Sequence, residues 1–111
     1  MTREETVNYL NGYLTAASRR EFFLEMAEEA REAGKRDLDE LEEKAERESL
    51  VMQEILETIG GMGAESEKRV LFYRFVKGLK TAEIAERMSY STRQVQRLCV
   101  AGLDLLAAEK G

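Results

Sequence analysis

The side chains best suited to recognition chemistry follow one another between positions 91 and 97. Arginine can donate two hydrogen bonds to guanine, glutamine can pair with adenine, and serine or threonine can contact a base or a phosphate. A segment that combines these groups therefore predicts contacts to the edges of base pairs in duplex DNA. The residues that we predict to contact bases are Ser91, Thr92, Arg93, Gln94, Gln96 and Arg97.

A second set of residues, just before this segment, is suited to holding the phosphate backbone. Three of them are cations that would neutralise phosphates, and the fourth is a threonine whose capped helix would offer free amide groups to an anion. Such contacts set the position of a protein on DNA and carry no sequence preference. The predicted phosphate contacts are Lys77, Lys80, Thr81 and Arg87.

The apolar residues around these positions have the spacing of two short helices packed across each other. Ile84 and Met88 are predicted to face inward from the first helix. Val95 and Leu98 are predicted to do the same from the second. Ala85 is small where the two helices would cross closely, which is typical of a helix-turn-helix.

Polar residues mark where the two helices of this pair begin. Thr81 stands at the start of the first apolar repeat and is predicted to cap that helix. Ser91 is followed three residues later by Gln94, the spacing of a capping box, and is predicted to cap the second helix. Residues 89–91 are left as a short turn anchored by Tyr90. Such a turn would direct the amino-terminal end of the second helix outward, as in helices that enter the major groove.

Two longer helices are predicted ahead of this pair. Thr2 can cap the first, and residues 34–37 interrupt the apolar rhythm, which indicates a turn or a stutter in one continuous helix. The second would extend to the glycines at 60–63, the strongest break in the sequence. The apolar positions are Val7, Leu10, Leu14, Ala17, Phe22, Phe23, Leu24 and Met26 in the first helix, and Leu38, Leu41, Ala45, Met52, Ile55 and Ile59 in the second.

Composition favours helix almost everywhere, because the 111-residue chain has no proline and is rich in alanine, leucine, glutamate, lysine and arginine. We predict an all-α fold in two parts. Residues 1–62 would form an acidic helical hairpin or coiled coil for oligomerisation or partner contact, and residues 63–111 a helix-turn-helix domain. In the second part a helix over 65–77, ended by Gly78, would precede the pair.

The charge is divided unevenly between the two parts. Residues 1–63 contain eight Lys/Arg and sixteen Asp/Glu, a formal charge of −8, whereas residues 64–111 contain nine and six, a charge of +3. The net charge of −5 therefore hides a basic carboxy-terminal part. DNA binding requires only a locally basic surface, so the overall charge does not exclude a nucleic-acid partner.

Several classes of function find no support in the residues. Cys99 is the single cysteine and histidine is absent, so there is no zinc-ligand spacing and no histidine for acid–base catalysis. We predict no enzyme activity, no metal and no cofactor, and an inert thiol at Cys99. No apolar run approaches the ~20 residues of a membrane span, and the first residues do not resemble an export signal, so we expect a cytoplasmic protein with no membrane contact.

The carboxy-terminal part of the chain resembles region 4 of sigma-70-type sigma factors, and also phage or prophage regulators of the ArpU/RinA type. The segment that carries the resemblance is RVLFYRFVKGLKTAEIAERMSYSTRQVQRLCVAGLDLL. The resemblance covers residues 67–106. It depends on the EIAERM block, on Gly78 and on the segment from Ser91 to Val95. It implies a sigma-region-4-like domain in which Thr92, Arg93, Gln96 and Arg97 meet DNA, the same face that the spacing selects.

Two residues depart from these families. Ser89 stands where many helix-turn-helix sequences have glycine, and Gly102 where the sigma pattern usually has alanine. A glycine at the second position is expected to weaken the last helix. Because nothing resembling sigma region 2 is recognisable ahead of the module, we expect a short phage-type regulator and not a complete sigma factor.

The sequence thus predicts a regulator of transcription that binds double-stranded DNA specifically, and a homodimer through residues 1–62 is a hypothesis that would let it bind two half-sites. Two other interpretations remain open. The chain would be a sigma-like adaptor that docks on RNA polymerase with little DNA binding of its own, or a component of phage DNA packaging. Steep salt dependence of binding would separate the first from a DNA-binding protein.

Overall fold

The computed structural model describes residues 1–34 and 37–110. These residues form helices connected by short turns, with no β-strand among them, which confirms the all-α prediction. One turn of π-helix, Phe72–Val76, continues the third α-helix. The α-helices are α1 (Arg3–Glu32), α2 (Leu38–Gly60), α3 (Glu65–Leu71), α4 (Thr81–Met88) and α5 (Thr92–Lys110).

Helices α1 and α2 form an antiparallel hairpin. Thr2 caps α1 as predicted, because its hydroxyl accepts from the Glu5 amide at 3.1 Å and the Glu5 carboxylate accepts from the Thr2 amide at 2.8 Å. At the other end α1 stops before Gly34, whose φ of +69° suits glycine. The predicted turn is therefore confirmed at Gly34, and the part of it at positions 35 and 36 lies outside the described residues.

The buried face of α1 differs from the predicted stripe. Leu10 is buried, but Leu14, Phe22, Leu24 and Met26 are 42%, 55%, 39% and 43% exposed. The line that faces α2 instead follows alternating steps of three and four residues, and much of it is alanine. These small residues allow close packing of the two helices but give little hydrophobic signal in a sequence. The line contains Tyr13, Ala16, Phe23, Ala27 and Ala30.

The apolar positions of α2 are predicted more accurately. Leu41, Ala45, Ile55 and Ile59 are buried, and Met52 is half-buried. Most polar contacts between the two helices are exposed, such as the Arg20 to Ser49 hydrogen bond of 2.7 Å, and the Tyr9 to Thr58 contact is partly buried. Packing of the apolar face is therefore what holds the hairpin together, because exposed polar pairs add little stability.

A central core connects the hairpin to the carboxy-terminal helices. Its buried side chains come from α1, α2, α3, the π-helical turn and α5, and they form one continuous cluster. The amino-terminus adds a hydrogen bond of 3.1 Å from the Met1 amine to the Ala107 carbonyl. The central core consists of Leu10, Ile55, Ile59, Met62, Leu71, Phe75, Leu103 and Leu106. Division into domains over 1–62 and 63–111 remains a prediction.

The third helix ends at Gly78 as predicted, since Gly78 has a φ of +69°. Its last turn is unexpected. The Lys77 amide donates to the Phe72 carbonyl at 3.2 Å, five residues back, so this turn is wider than an α-helical one. The turn shifts the side chains that follow Leu71 relative to a regular helix, and Arg74 lies within it.

Gly102 has a packing role that its helix propensity does not reveal. It is buried in α5, and a Cβ atom there would lie 3.1 Å from two atoms of Leu71 and 3.3 Å from the Glu67 Cβ. The missing side chain is therefore what allows α5 to approach α3 so closely. The expected weakening of α5 rests on helix propensity alone and stays a prediction, whereas the space available is what explains a glycine at this position.

Candidate nucleic-acid interface

Helices α4 and α5 pack on a second core and form the predicted helix-turn-helix. Ile84, Met88, Val95 and Leu98 face inward and are at most 8% exposed, which confirms the assignment made from their spacing. Ala85 is also buried in this core, at the crossing of the two helices. Val70 connects the core to α3, so the pair is fixed against the rest of the molecule.

The turn between α4 and α5 has a left-handed residue at its centre. Ser89 adopts φ 59° and ψ 40°. Its amide donates to the Glu86 carbonyl at 3.3 Å, and the Tyr90 amide donates to the Ala85 carbonyl at 2.9 Å, which together make a Schellman motif. This geometry explains why glycine is common here in related turns, because a left-handed conformation costs other residues about 1 kcal/mol.

The cap of α4 is not Thr81. The helix begins at Thr81, and the capping position is Lys80, whose backbone amide donates to the Glu83 carboxylate at 2.9 Å. The carboxylate at the third helical position thus satisfies the amide of the capping residue, which is the half of a capping box that a glutamate supplies. The Thr81 hydroxyl instead lies 3.4 Å from a guanidinium nitrogen of Arg74, from which it accepts a hydrogen bond.

The cap of α5 is Ser91, as predicted, since its hydroxyl accepts from the Gln94 amide at 3.1 Å. The reciprocal half of the capping box is not formed. The side-chain oxygen of Gln94 accepts a hydrogen bond from Arg97 instead. This arrangement turns Gln94 toward Arg97 along the surface of α5 and holds part of the Arg97 guanidinium.

The amino-terminal end of α5 presents its polar side chains to solvent. Arg93 and Arg97 are one helical turn apart and therefore share the face opposite Val95. Neither arginine forms an ion pair with a carboxylate of the described residues, and the acidic hairpin does not cover them. The exposed residues of this end are Ser91, Thr92, Arg93, Gln96 and Arg97, and Gln94 is half-buried.

The predicted phosphate contacts separate into two groups. Lys80 and Thr81 line one groove of about 570 Å³ together with Gln96, so they adjoin the face of α5. Arg74 lines the same groove, and sequence reasoning did not select it. Its position depends on the π-helical turn, for which the sequence offers no recognisable signal. The structure therefore brings Arg74, Lys80 and Thr81 together beside Gln96.

Lys77 and Arg87 form the other group. The Lys77 ammonium lies 5.7 Å from the ring centre of Phe72, and the Arg87 guanidinium lies 5.4 Å from that of Tyr73. Both aromatic rings are half-buried against the two cores, as expected for packing residues. Lys77 and Arg87 are exposed, and their assignment as phosphate contacts remains a prediction, as do the base contacts of α5.

Cys99 lies between the two cores and is half-buried. Burial raises the pKa of its thiol, and the nearby positive charge of Arg74 opposes this only in part. The protonated, unreactive form is therefore favoured. Among residues 1–34 and 37–110, no group of three or more metal-ligating side chains is close enough to hold a metal ion, and no helix is long and apolar enough to cross a membrane.

The fold and the exposed end of α5 define a helical protein with a sigma-like helix-turn-helix. The family model of ECF sigma factors matches residues 17–101. The chain belongs to the ECF sigma factor family, and is a sigma-like regulator associated with DNA and RNA polymerase. The match begins within α1 and so includes the second half of α1 and all of α2, well ahead of the segment recognised in the sequence. No curated protein and no solved structure matches the chain.

Proposed function

We propose that this chain is a sequence-specific regulator of transcription that reads the major groove of double-stranded DNA with the amino-terminal end of α5. The observation that carries the proposal is the exposure of Arg93 and Arg97 on one face of α5, where the acidic hairpin does not cover them. An arginine so placed can donate two hydrogen bonds to guanine. Gln96, at the edge of this face, has groups that suit adenine.

The phosphate backbone would lie along the groove beside α5. Lys80 supplies a cation there and Arg74 a second one, and the hydroxyl of Thr81 accepts a hydrogen bond from Arg74 in the same groove. Lys77 and Arg87 would extend this contact to neighbouring phosphates. The positive charge of residues 64–111 supports such a path, because binding then releases counterions from the DNA.

We further propose that the regulated genes are those of a phage or prophage. The support is the resemblance of residues 67–106 to regulators of the ArpU/RinA type. Such a regulator would act in the cytoplasm. A homodimer through residues 1–62 remains part of the proposal, because two recognition helices would bind two half-sites. Sedimentation at micromolar concentration should show this dimer, and a monomer alone would contradict it.

Salt dependence tests the DNA-binding proposal. We expect the affinity for duplex DNA to fall steeply with salt, with a logarithmic slope of about 0.9 for each phosphate contacted. Arg93→Ala combined with Arg97→Ala should abolish the preference among sequences, at a cost of about 1–3 kcal/mol for each lost bidentate contact. The matched control is Arg31→Ala with Arg47→Ala, two arginines that pair with hairpin glutamates at 3.1 and 2.9 Å.

A second function is favoured by the family itself. An ECF sigma factor works with RNA polymerase, so the chain would be an adaptor on the polymerase with little affinity for DNA. Binding to purified polymerase that survives the Arg93 and Arg97 substitutions, combined with equal DNA binding by variant and native protein, would favour the adaptor. Loss of DNA binding in the variant favours the regulator.

A further inference from the structure

The distal half of α1 carries large apolar side chains that the fold leaves in solvent. Phe22 is 55% exposed and Met26 is 43% exposed. They are one helical turn apart and therefore lie next to each other on the same face. Single exposed apolar residues are common in proteins, but an adjacent pair beside a groove indicates a binding surface.

A groove runs between this part of α1 and the beginning of α2. It is open and has a volume of about 1150 Å³. Ala30 and Leu41 are buried side chains at its base, and Phe22 and Met26 stand along its edge. An α-helix with its side chains is about 10–12 Å wide, so the groove has room for a few helical turns of a partner.

The rim of this groove is strongly acidic. Among the residues that the structure describes, the lining contains five carboxylates and one arginine, Arg20, which gives these residues a formal charge of −4. Glu25 and Glu29 follow Phe22 by three and seven residues, so they lie on the same face of α1 as the apolar pair. An occupant must therefore offer apolar side chains with cations beside them.

We propose that this groove docks a basic amphipathic helix of another protein. Apolar residues of that helix pack against Phe22 and Met26, and its lysine or arginine side chains pair with Glu25 and Glu29. This is helix-in-groove recognition, in which anchors recur every three or four residues. Methionine suits such a surface because its unbranched side chain adapts to different shapes.

The acidic rim favours a basic helix over a second copy of the chain, nucleic acid or anionic lipid. A second copy placed symmetrically on the groove would bring two acidic rims together, and like charges across an interface cost several kcal/mol. Nucleic acid and anionic lipid would be repelled in the same way.

The groove lies away from the helix-turn-helix along α1. Leu14, two turns before Phe22, lies against Gly78 near the start of α4. A partner helix bound to the part of α1 that follows Leu14 leaves the outward face of α5 open, so its docking is independent of DNA binding.

A labelled synthetic helix tests the proposal in the absence of DNA. The probe is a peptide of about 18 residues, five helical turns, with leucine on one face and lysine on the other. Its counterpart carries glutamate in place of lysine. We expect the full-length protein to bind the lysine peptide at least tenfold more tightly than the glutamate peptide. Phe22→Ser with Met26→Ser should weaken that binding about tenfold. Both side chains are exposed, so thermal unfolding by circular dichroism should be unchanged.

Matched charge variants distinguish docking from general attraction. Glu25→Gln with Glu29→Gln should reduce the affinity for the lysine peptide at least five times more than Glu46→Gln with Glu57→Gln does. The second pair removes the same charge from exposed positions of α2 outside the groove. Equal effects of the two pairs, or no binding of the lysine peptide, would overturn the proposal. So would a dimer in sedimentation that disappears with Phe22→Ser and Met26→Ser, because the groove would then hold a second copy.

Discussion

Gly102 shows how a single residue sets the distance between two helices. Its absent side chain leaves room for Leu71, which is fully buried. A Cβ at 3.1 Å from two atoms of that leucine would require Leu71 to move by a few tenths of an ångström within a packed core. The gain in helix propensity on replacing glycine with alanine is about 1 kcal/mol and is smaller than the usual cost of overpacking.

We therefore expect Gly102→Ala to lower the free energy of unfolding by about 1 kcal/mol. The matched control is Gly60→Ala at the end of α2, where a Cβ would meet nothing within 4 Å. That substitution should leave stability unchanged or raise it slightly. Urea unfolding followed by circular dichroism measures both, and a Gly102→Ala protein more stable than the native one would show that Leu71 can yield.

At the residue scale, the outward face of α5 could be predicted because the apolar residues of a helix determine which side chains remain for solvent. The exposure of Arg93 and Arg97 could be predicted in this way from the inward positions of Val95 and Leu98. The caps were less predictable. The Glu83 carboxylate accepts from the Lys80 amide, so α4 is capped one residue earlier than the Thr81 hydroxyl indicated.

At the scale of elements, the π-helical turn determines the position of Arg74, the second cation besides Lys80 in the groove beside α5. The turn is one residue wider than an α-helical turn, and within it Arg74 reaches the hydroxyl of Thr81. Amphipathic spacing predicted the helix and its end at Gly78. It could not predict the π-helical turn, because such a turn depends on how α3 packs on α1 and α5.

Arg74→Ala should weaken DNA binding about equally for all sequences and reduce the logarithmic salt slope by about 1. The reason is that Arg74 lies in the groove with Lys80 and donates a hydrogen bond to Thr81, two residues predicted to contact phosphates. Arg47→Ala on the hairpin is the control and should leave the slope unchanged. Fluorescence anisotropy over a range of salt gives the slope, and a native slope in the Arg74 variant would remove this residue from the interface.

At the scale of the whole molecule, the central core makes the hairpin and the helix-turn-helix depend on each other. Leu10 of α1 is fully buried in the same cluster as Leu103 and Leu106 of α5. The glycines at 60–63 correctly predicted where α2 ends. They do not predict which face of α1 packs against α5, because contacts between distant parts of a chain leave no local pattern in the sequence.

Leu10→Ala should lower the free energy of unfolding by about 2–5 kcal/mol, since it opens a cavity at a fully buried site. Both halves should lose structure at the same urea concentration, as followed by amide signals of α2 and of α5 in nuclear magnetic resonance spectra. Leu50→Ala, at a position that is 57% exposed, should have almost no effect. Separate midpoints for the two halves would instead support independent domains over 1–62 and 63–111.

The central claim is that the amino-terminal end of α5 reads DNA sequence, and selection from random duplexes tests it most directly. The native protein should enrich a short motif with guanine at a defined position, and Arg93→Ala should lose the preference at one position while keeping the rest. If the native protein enriches no motif, or if the Arg93→Ala and Arg97→Ala variants enrich the same motif as the native protein, α5 does not read DNA.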